Sequence, residues 1–213
     1  MKLYGYWRSG ATYRVRIAMG LKGLAYHYAP VDLLKGEQRA PAFLKVSPQG
    51  LIPALALDDG ATLTQSLAII EYLDEAFPAP PLLPKEKVAR ARSRQIAYAI
   101  ACEAQPFQNI RTQAWLRDEA RLDADGVKAW LDAWVGGAMR SVETMLAETA
   151  GAYCVGDEVS LADICLAPQV YAALRFKVDI SGLERINRIH ARLSALPAFA
   201  NAHPDKQPDA PKG

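Results

Sequence analysis

Apolar and polar positions change their spacing repeatedly over the first 78 residues and then settle into a helical rhythm. Leu3, Tyr4, Tyr6 and Trp7 suit a short strand, which Arg8-Ser9-Gly10 breaks. From Ala11 onward Val15, Ala18, Met19 and Leu21 recur at helical spacing until Gly23, predicting a first helix. Tyr26 to Val31 reads as a second strand, Pro41 to Lys45 as a short helix, and Pro48-Gln49-Gly50 as a turn. Leu51 to Leu57 is a third strand, and Asp58-Asp59-Gly60 is a hairpin signal leading into Ala61 to Leu63. Gln65 then opens a helix that runs through Ile69, Ile70 and Leu73 to Phe77. The predicted order over residues 1–78 is βαβαββα, an α/β domain.

The pattern shifts at Pro78-Ala79-Pro80-Pro81-Leu82-Leu83-Pro84, where four prolines in seven residues cannot continue a helix. Residues 79–84 are therefore expected to form an extended linker, with an all-α domain over 85–213. Lys85 to about Leu116 predicts one long helix bent at Pro106, and Val127 to Ala150 a second. Ser160-Leu161-Ala162-Asp163 has the form of a capping box and should start a third. Further helices are expected near Leu183 to Ala195 and Ala198 to Ala202, followed by a polar, frayed tail from Pro204 to Gly213.

Composition narrows the chemistry. With 213 residues, 51% of them hydrophobic, the chain can bury a core without disulfides or metal. A net charge of +2 with no basic block excludes an electrostatic nucleic-acid binder. No signal peptide or membrane span stands out, so the cytoplasm is expected. Cys102, Cys154 and Cys165 are odd in number and widely spaced, which reads as buried, inert thiols. His27, His190 and His203 have neither metal-ligand spacing nor a nucleophile motif beside them, so no metal site is expected.

Three short segments carry more information. Ser9, Gly10 and Ala11 stand at the start of the first helix, where a hydroxyl and free backbone N–H groups meet the positive end of the helix dipole. That arrangement either stabilises a bound anion or merely caps the helix through Ser9 or Thr12. Leu51-Ile52-Pro53 can place a cis peptide before a strand and expose the Ile52 backbone to an extended ligand. Gln65-Ser66 offers a hydroxyl and N–H groups to a carboxylate.

In this order and on this frame, the sequence resembles the cytosolic glutathione transferase superfamily over nearly its whole length. The resemblance implies a two-domain fold, with a thioredoxin-like N-terminal domain whose cis-proline matches Pro53 and an all-α C-terminal domain whose Ser-x-x-Asp box matches Ser160 to Asp163. It also implies glutathione as cofactor, held by Gln49, Ile52, Gln65 and Ser66, with Ser9 facing the thiol. Arg14-Val15-Arg16-Ile17-Ala18, Pro106-x-x-Asn109-x-Arg111 and Arg175-Phe176-Lys177-Val178-Asp179 are similar to the zeta class, which isomerises maleylacetoacetate and, in some bacteria, maleylpyruvate.

Two departures stand out: Ser9-Gly10-Ala11-Thr12 replaces the usual Ser-Ser-Cys-x, and Gln105 replaces the usual His. The Arg-Ser-Gly junction looks closer to the bacterial maleylpyruvate isomerases. The absent cysteine bears on side reactions such as haloacid conjugation more than on isomerisation. Such an isomerase wants guanidiniums for a dicarboxylate, and Arg8, Arg111 and Arg175 are the expected ones, with Asn109 as a nearby polar group. Arg14 and Arg16 are expected in interdomain or surface salt bridges. The family also implies a homodimer. A general transferase or peroxidase is the competing enzyme, disfavoured by an arginine-rich pocket. A non-catalytic binding protein has no physical need for a thiolate site.

Overall fold

The computed structural model describes residues 1–211. The chain forms two compact units, Met1–Pro81 together with the segment from Leu196 onward, and Leu82–Ala195.

In the first unit, β1 (Lys2–Gly5) alternates half-buried and buried positions, and Leu3 is completely enclosed. It pairs in parallel with β2 (His27–Pro30) and antiparallel with β3 (Ala54–Ala56), which in turn pairs antiparallel with β4 (Thr62–Thr64). The strand order β2-β1-β3-β4 is that of the expected thioredoxin-like sheet. Helices α1 (Gly10–Leu21), α2 (Pro41–Leu44) and α3 (Ser66–Ala76) complete the predicted βαβαββα order. Gly5 permits the close approach of α1: a Cβ there would lie 2.3 Å from the Thr12 methyl. Lys22, just past α1, ties down the end of α3, donating 2.6 Å bonds to Asp74, to the Phe77 carbonyl and to the Pro80 carbonyl.

The second unit holds α4 (Lys87–Glu103), α5 (Ile110–Asp118), α6 (Ala124–Leu131), α7 (Gly137–Thr149), α8 (Leu161–Arg175) and α9 (Glu184–Ser194). The predicted bend at Pro106 is a short 3-10 turn, Gln105–Gln108, between α4 and α5. A π-helical segment, Asp132–Gly136, joins α6 to α7. α8 is buried along nearly its whole length and packs on α4 and α9. Its capping box forms as expected: Asp163 accepts the Ser160 N–H at 2.9 Å, the Ser160 hydroxyl at 3.0 Å and the Cys154 N–H at 2.9 Å.

The molecule departs from the sequence expectations in five places. Leu82 and Leu83 of the expected linker are buried, and the Leu82 carbonyl accepts from Leu161 N–H at 2.8 Å. Residues from Leu196 on cluster with the first unit rather than the helical one: α10 (Pro197–Ala202) packs on α1. The tail beyond it is held by hydrogen bonds; residues 212 and 213 of that expected tail lie outside the described residues. Arg14 and Arg16 are 2% exposed and hydrogen-bond within the first unit, so neither is a surface charge. Cys102 is exposed, whereas Cys154 and Cys165 are buried as expected.

Candidate active site

Tyr6 to Ser9 form a turn closed by the Ser9 N–H on the Tyr6 carbonyl at 3.0 Å. Ser9 then caps α1, its Oγ accepting the Thr12 N–H at 3.2 Å. Capping leaves the hydroxyl proton available, because a hydroxyl carries one donor beside its two lone pairs. The cap and an anion site are therefore compatible readings of one residue. Gly10 and Ala11 are the first two residues of α1, and the half-buried side chain of Ser9 lies at the positive end of its dipole. Arg8 stacks its guanidinium on Trp7 at 5.3 Å and Tyr6 at 5.9 Å. Among the described residues no carboxylate pairs with it.

The rest of the predicted glutathione set lies in the same unit. Gly50 carries the turn before β3, with φ +61 and a position where a Cβ would sit 3.0 Å from the Gln38 carbonyl, so only glycine fits well. The Ile52–Pro53 bond is cis. The β1–β3 ladder begins at Ala54, which leaves the Ile52 backbone outside it. Gln65 precedes α3 at φ 67 and ψ 115, a backbone region costly for a residue with a Cβ. Its side-chain amide donates to Gln49 Oε1 at 2.7 Å, bringing those two predicted residues together. Among the described residues no side chain caps α3, so the N–H groups of its first turn, at Ser66 and after, are open to an anion. Ser66 Oγ accepts from Arg14 at 3.4 Å.

Asn109, Arg111 and Arg175 belong to the second unit. The Asn109 carboxamide oxygen caps α5, accepting from Thr112 N–H at 3.0 Å. Arg111 is exposed in the first turn of that helix. Arg175 ends α8 with its guanidinium 3.9 Å from the Phe176 ring centre. It also lines a cavity of about 360 Å3 with Gln113, Arg117, Lys128 and Lys177, over an apolar wall that includes Val127 and Leu131. Arg111 does not line it. Sequence reasoning passed over those neighbours, although Gln113 and Arg117 share a face at i, i+4 spacing.

Residues 3–81 match the glutathione S-transferase N-terminal domain family. The chain is 45% identical over 213 residues to a maleylacetoacetate isomerase of Pseudomonas aeruginosa, covering 99% of both chains. The chain belongs to the zeta-class glutathione transferase and maleylacetoacetate isomerase family. Two solved structures of that family agree with it over their full length. One, the holo structure of a bacterial zeta-class maleylpyruvate isomerase, superposes at TM-score 0.96 with 40% identity, covering 99% of this chain and 100% of the other. The other, a maleylacetoacetate isomerase from Methylobacterium extorquens with bound malonate and glutathione, gives TM-score 0.95 with 42% identity, covering 100% of both. Membership accounts for the two-domain fold; the βαβαββα unit is this family's N-terminal domain.

Proposed function

We propose that this zeta-class chain is a glutathione-dependent cis–trans isomerase of maleyl-type dicarboxylates, acting on maleylacetoacetate or maleylpyruvate in the breakdown of aromatic compounds. The observation that carries the reading is the Ser9 turn: at a helix N-terminus stands a capping hydroxyl whose proton is unused among the described residues, beside an arginine with no carboxylate partner among them.

The donor set fits glutathione. The uncapped N-terminus of α3 with Ser66 suits a carboxylate, the free Ile52 backbone suits a peptide, and the start of α1 suits a thiolate. When bound, glutathione supplies a nucleophilic thiolate that adds to the double bond and leaves after rotation, and is regenerated in each cycle.

Ser9 and α1 would lower the thiol pKa from its free value of about 8.5. The helix end contributes about 0.3–1 kcal/mol, and a hydrogen bond from Ser9 to the charged sulfur about 1.5–3 kcal/mol. At about 1.4 kcal/mol per pKa unit, that is enough to make the thiolate appreciable near neutrality. Ser9 therefore acts as a stabiliser of the sulfur rather than as the nucleophile. Arg8 holds a substrate carboxylate through its fixed fork of donors. Arg175 and Arg111 are assigned as further carboxylate ligands; the cationic surroundings of Arg175 support its part, and Asn109 fixes the turn that bears Arg111. Gln49 and Gln65 brace each other against glutathione, with Gly10, Ala11 and Pro53 shaping the backbone around it.

We also propose a cytoplasmic homodimer as the working form; among the described residues no helix is long and apolar enough to cross a membrane. Light scattering on the purified protein checks the dimer. The activity is tested by following the ultraviolet spectra of maleylpyruvate and maleylacetoacetate with the protein, with and without glutathione. Glutathione-dependent formation of the fumaryl isomer is expected, and the faster substrate names the reaction. Conversion of neither, with glutathione bound, would refute it.

A further inference from the structure

The Trp7 backbone, at the second position of the Tyr6–Ser9 turn, is held on both sides, by the C-terminal segment and by α1. Its N–H donates to Asp209 Oδ2 at 2.8 Å, across 202 positions. Its carbonyl accepts from Arg16 Nη2 at 3.0 Å. Arg16 is itself fixed by donating Nε to the Ala202 carbonyl at 3.0 Å, and Asp209 by accepting from the Tyr28 hydroxyl at 3.1 Å.

The segment that brings Asp209 here is ordered throughout. Tyr13 donates its hydroxyl to the Phe199 carbonyl at 3.3 Å, and Gln207 donates to the Asn201 and His203 carbonyls at 3.1 and 2.9 Å. A turn closed by the Ala210 N–H on the Gln207 carbonyl at 3.0 Å then presents Asp209. Asp209 Oδ1 and Arg16 Nη1 are buried and have no hydrogen-bond partner among the described residues. Among the described residues, the charged and titratable groups that face Asp209 are Arg16 from α1 and Tyr28 from β2.

We propose that Asp209 is a positioning residue for the Ser9 turn: with Arg16 it clamps the Trp7 peptide, and so sets the direction in which Ser9 and Arg8 are presented to glutathione and substrate. The inference rests on the reading of Ser9 as the group facing the thiol. An orienting role is physically demanding, since a displacement of about 1 Å at a reacting group can lower a rate by on the order of a hundredfold.

The test compares Asp209→Ala, Asp209→Asn and Ser9→Ala with the parent chain. Four readouts are taken: the ultraviolet titration of the bound glutathione thiol, hydrogen exchange at the Trp7 N–H, kcat and KM, and the melting temperature. Asp209→Ala should speed exchange at Trp7, raise the thiol pKa and lower kcat roughly tenfold or more. KM for glutathione should change little, because the α3 end is untouched. Asp209→Asn keeps an oxygen for the Trp7 N–H and should recover most of the loss.

An unshifted thiol titration and kcat in Asp209→Ala, with both shifted in Ser9→Ala, would overturn the clamp and leave the Ser9 reading standing. An unshifted titration in Ser9→Ala would overturn that reading itself. Where Asp209→Ala does not fold, Asp209→Glu decides, since it keeps the charge and displaces the acceptor by one methylene. A raised thiol pKa then supports the clamp, and a parental titration overturns it.

Discussion

Ser9 and Ser160 each stand at the N-terminus of a long helix, and their surroundings differ completely. Ser160 is 2% exposed; its hydroxyl donates to Asp163 at 3.0 Å and receives from Ser93 at 3.1 Å. Ser9 is half-buried, accepts one bond from Thr12, and has no acceptor for its proton among the described residues. The enclosed cap fixes a core. The open one keeps hydrogen-bonding capacity for a ligand. Helix capping is thus one device used twice, and on the proposed reading the donor left over is what separates a structural serine from a chemical one.

The largest effect on stability should come from the enclosed cap. Asp163→Asn places an amide among three donors, and leaving one buried donor unpaired costs about 1–3 kcal/mol. A fall in Tm of about 5–10 °C is expected by calorimetry. The variant also has a pH signature. Burial pushes the Asp163 carboxyl above its ordinary range, against the opposing hydrogen bonds from Cys154 and Ser160. The folded state therefore keeps a proton that the unfolded state releases. Its share of stability is full below the ordinary carboxylate pKa and is lost as pH rises through the raised one. Asp163→Asn should abolish that slope in unfolding curves.

Ser9→Ala should give the reverse profile. Turnover falls roughly tenfold to a hundredfold with the loss of about 1.5–3 kcal/mol of thiolate stabilisation. Thermal stability falls by only about 1 kcal/mol, the usual worth of a cap. Steady-state rates and melting curves on one preparation separate the two. A parental rate would put Ser9 in the same class as Ser160 and break the comparison. Arg8→Met should raise KM for the dicarboxylate by about tenfold, the loss of one charge-assisted hydrogen bond. Arg8→Lys should recover only part, since an ammonium cannot bind bidentately.

The smallest effect sharpens the contrast in pH. Glu86 caps α4 in full exposure, and hydrogen bonds from the Val88 and Ala89 N–H groups lower its pKa. Its stabilising share is present above the ordinary carboxylate pKa and fades as pH falls through the lowered one. Glu86→Gln should remove a slight acid-side slope, opposite in sign to that of Asp163.

Local signals explain what could be read from the chain. The run of Leu3, Tyr4, Tyr6 and Trp7, the proline at 106 and the Ser160–Asp163 spacing each act within a few residues, and each predicted its element. The Gln49–Gln65 pair was legible only through the family pattern. Nothing local announces that Arg14 and Arg16 are buried, because Arg14 bonds Ser66, 52 positions away, and Arg16 bonds Ala202, 186 away, besides the nearer Trp7. The tail misled for the same reason: it is polar, yet its described part is held by Trp7, Tyr28 and the end of α10. The cavity around Arg175 draws on three helices whose convergence the helical rhythm does not encode.

The most direct measurement of the central claim uses glutathione far below the substrate concentration and follows both compounds to completion. The account predicts full conversion of the maleyl substrate to its fumaryl isomer, with the free glutathione recovered unchanged. Conversion that stops when glutathione runs out, with one glutathione lost per product, would mean conjugation and contradict it.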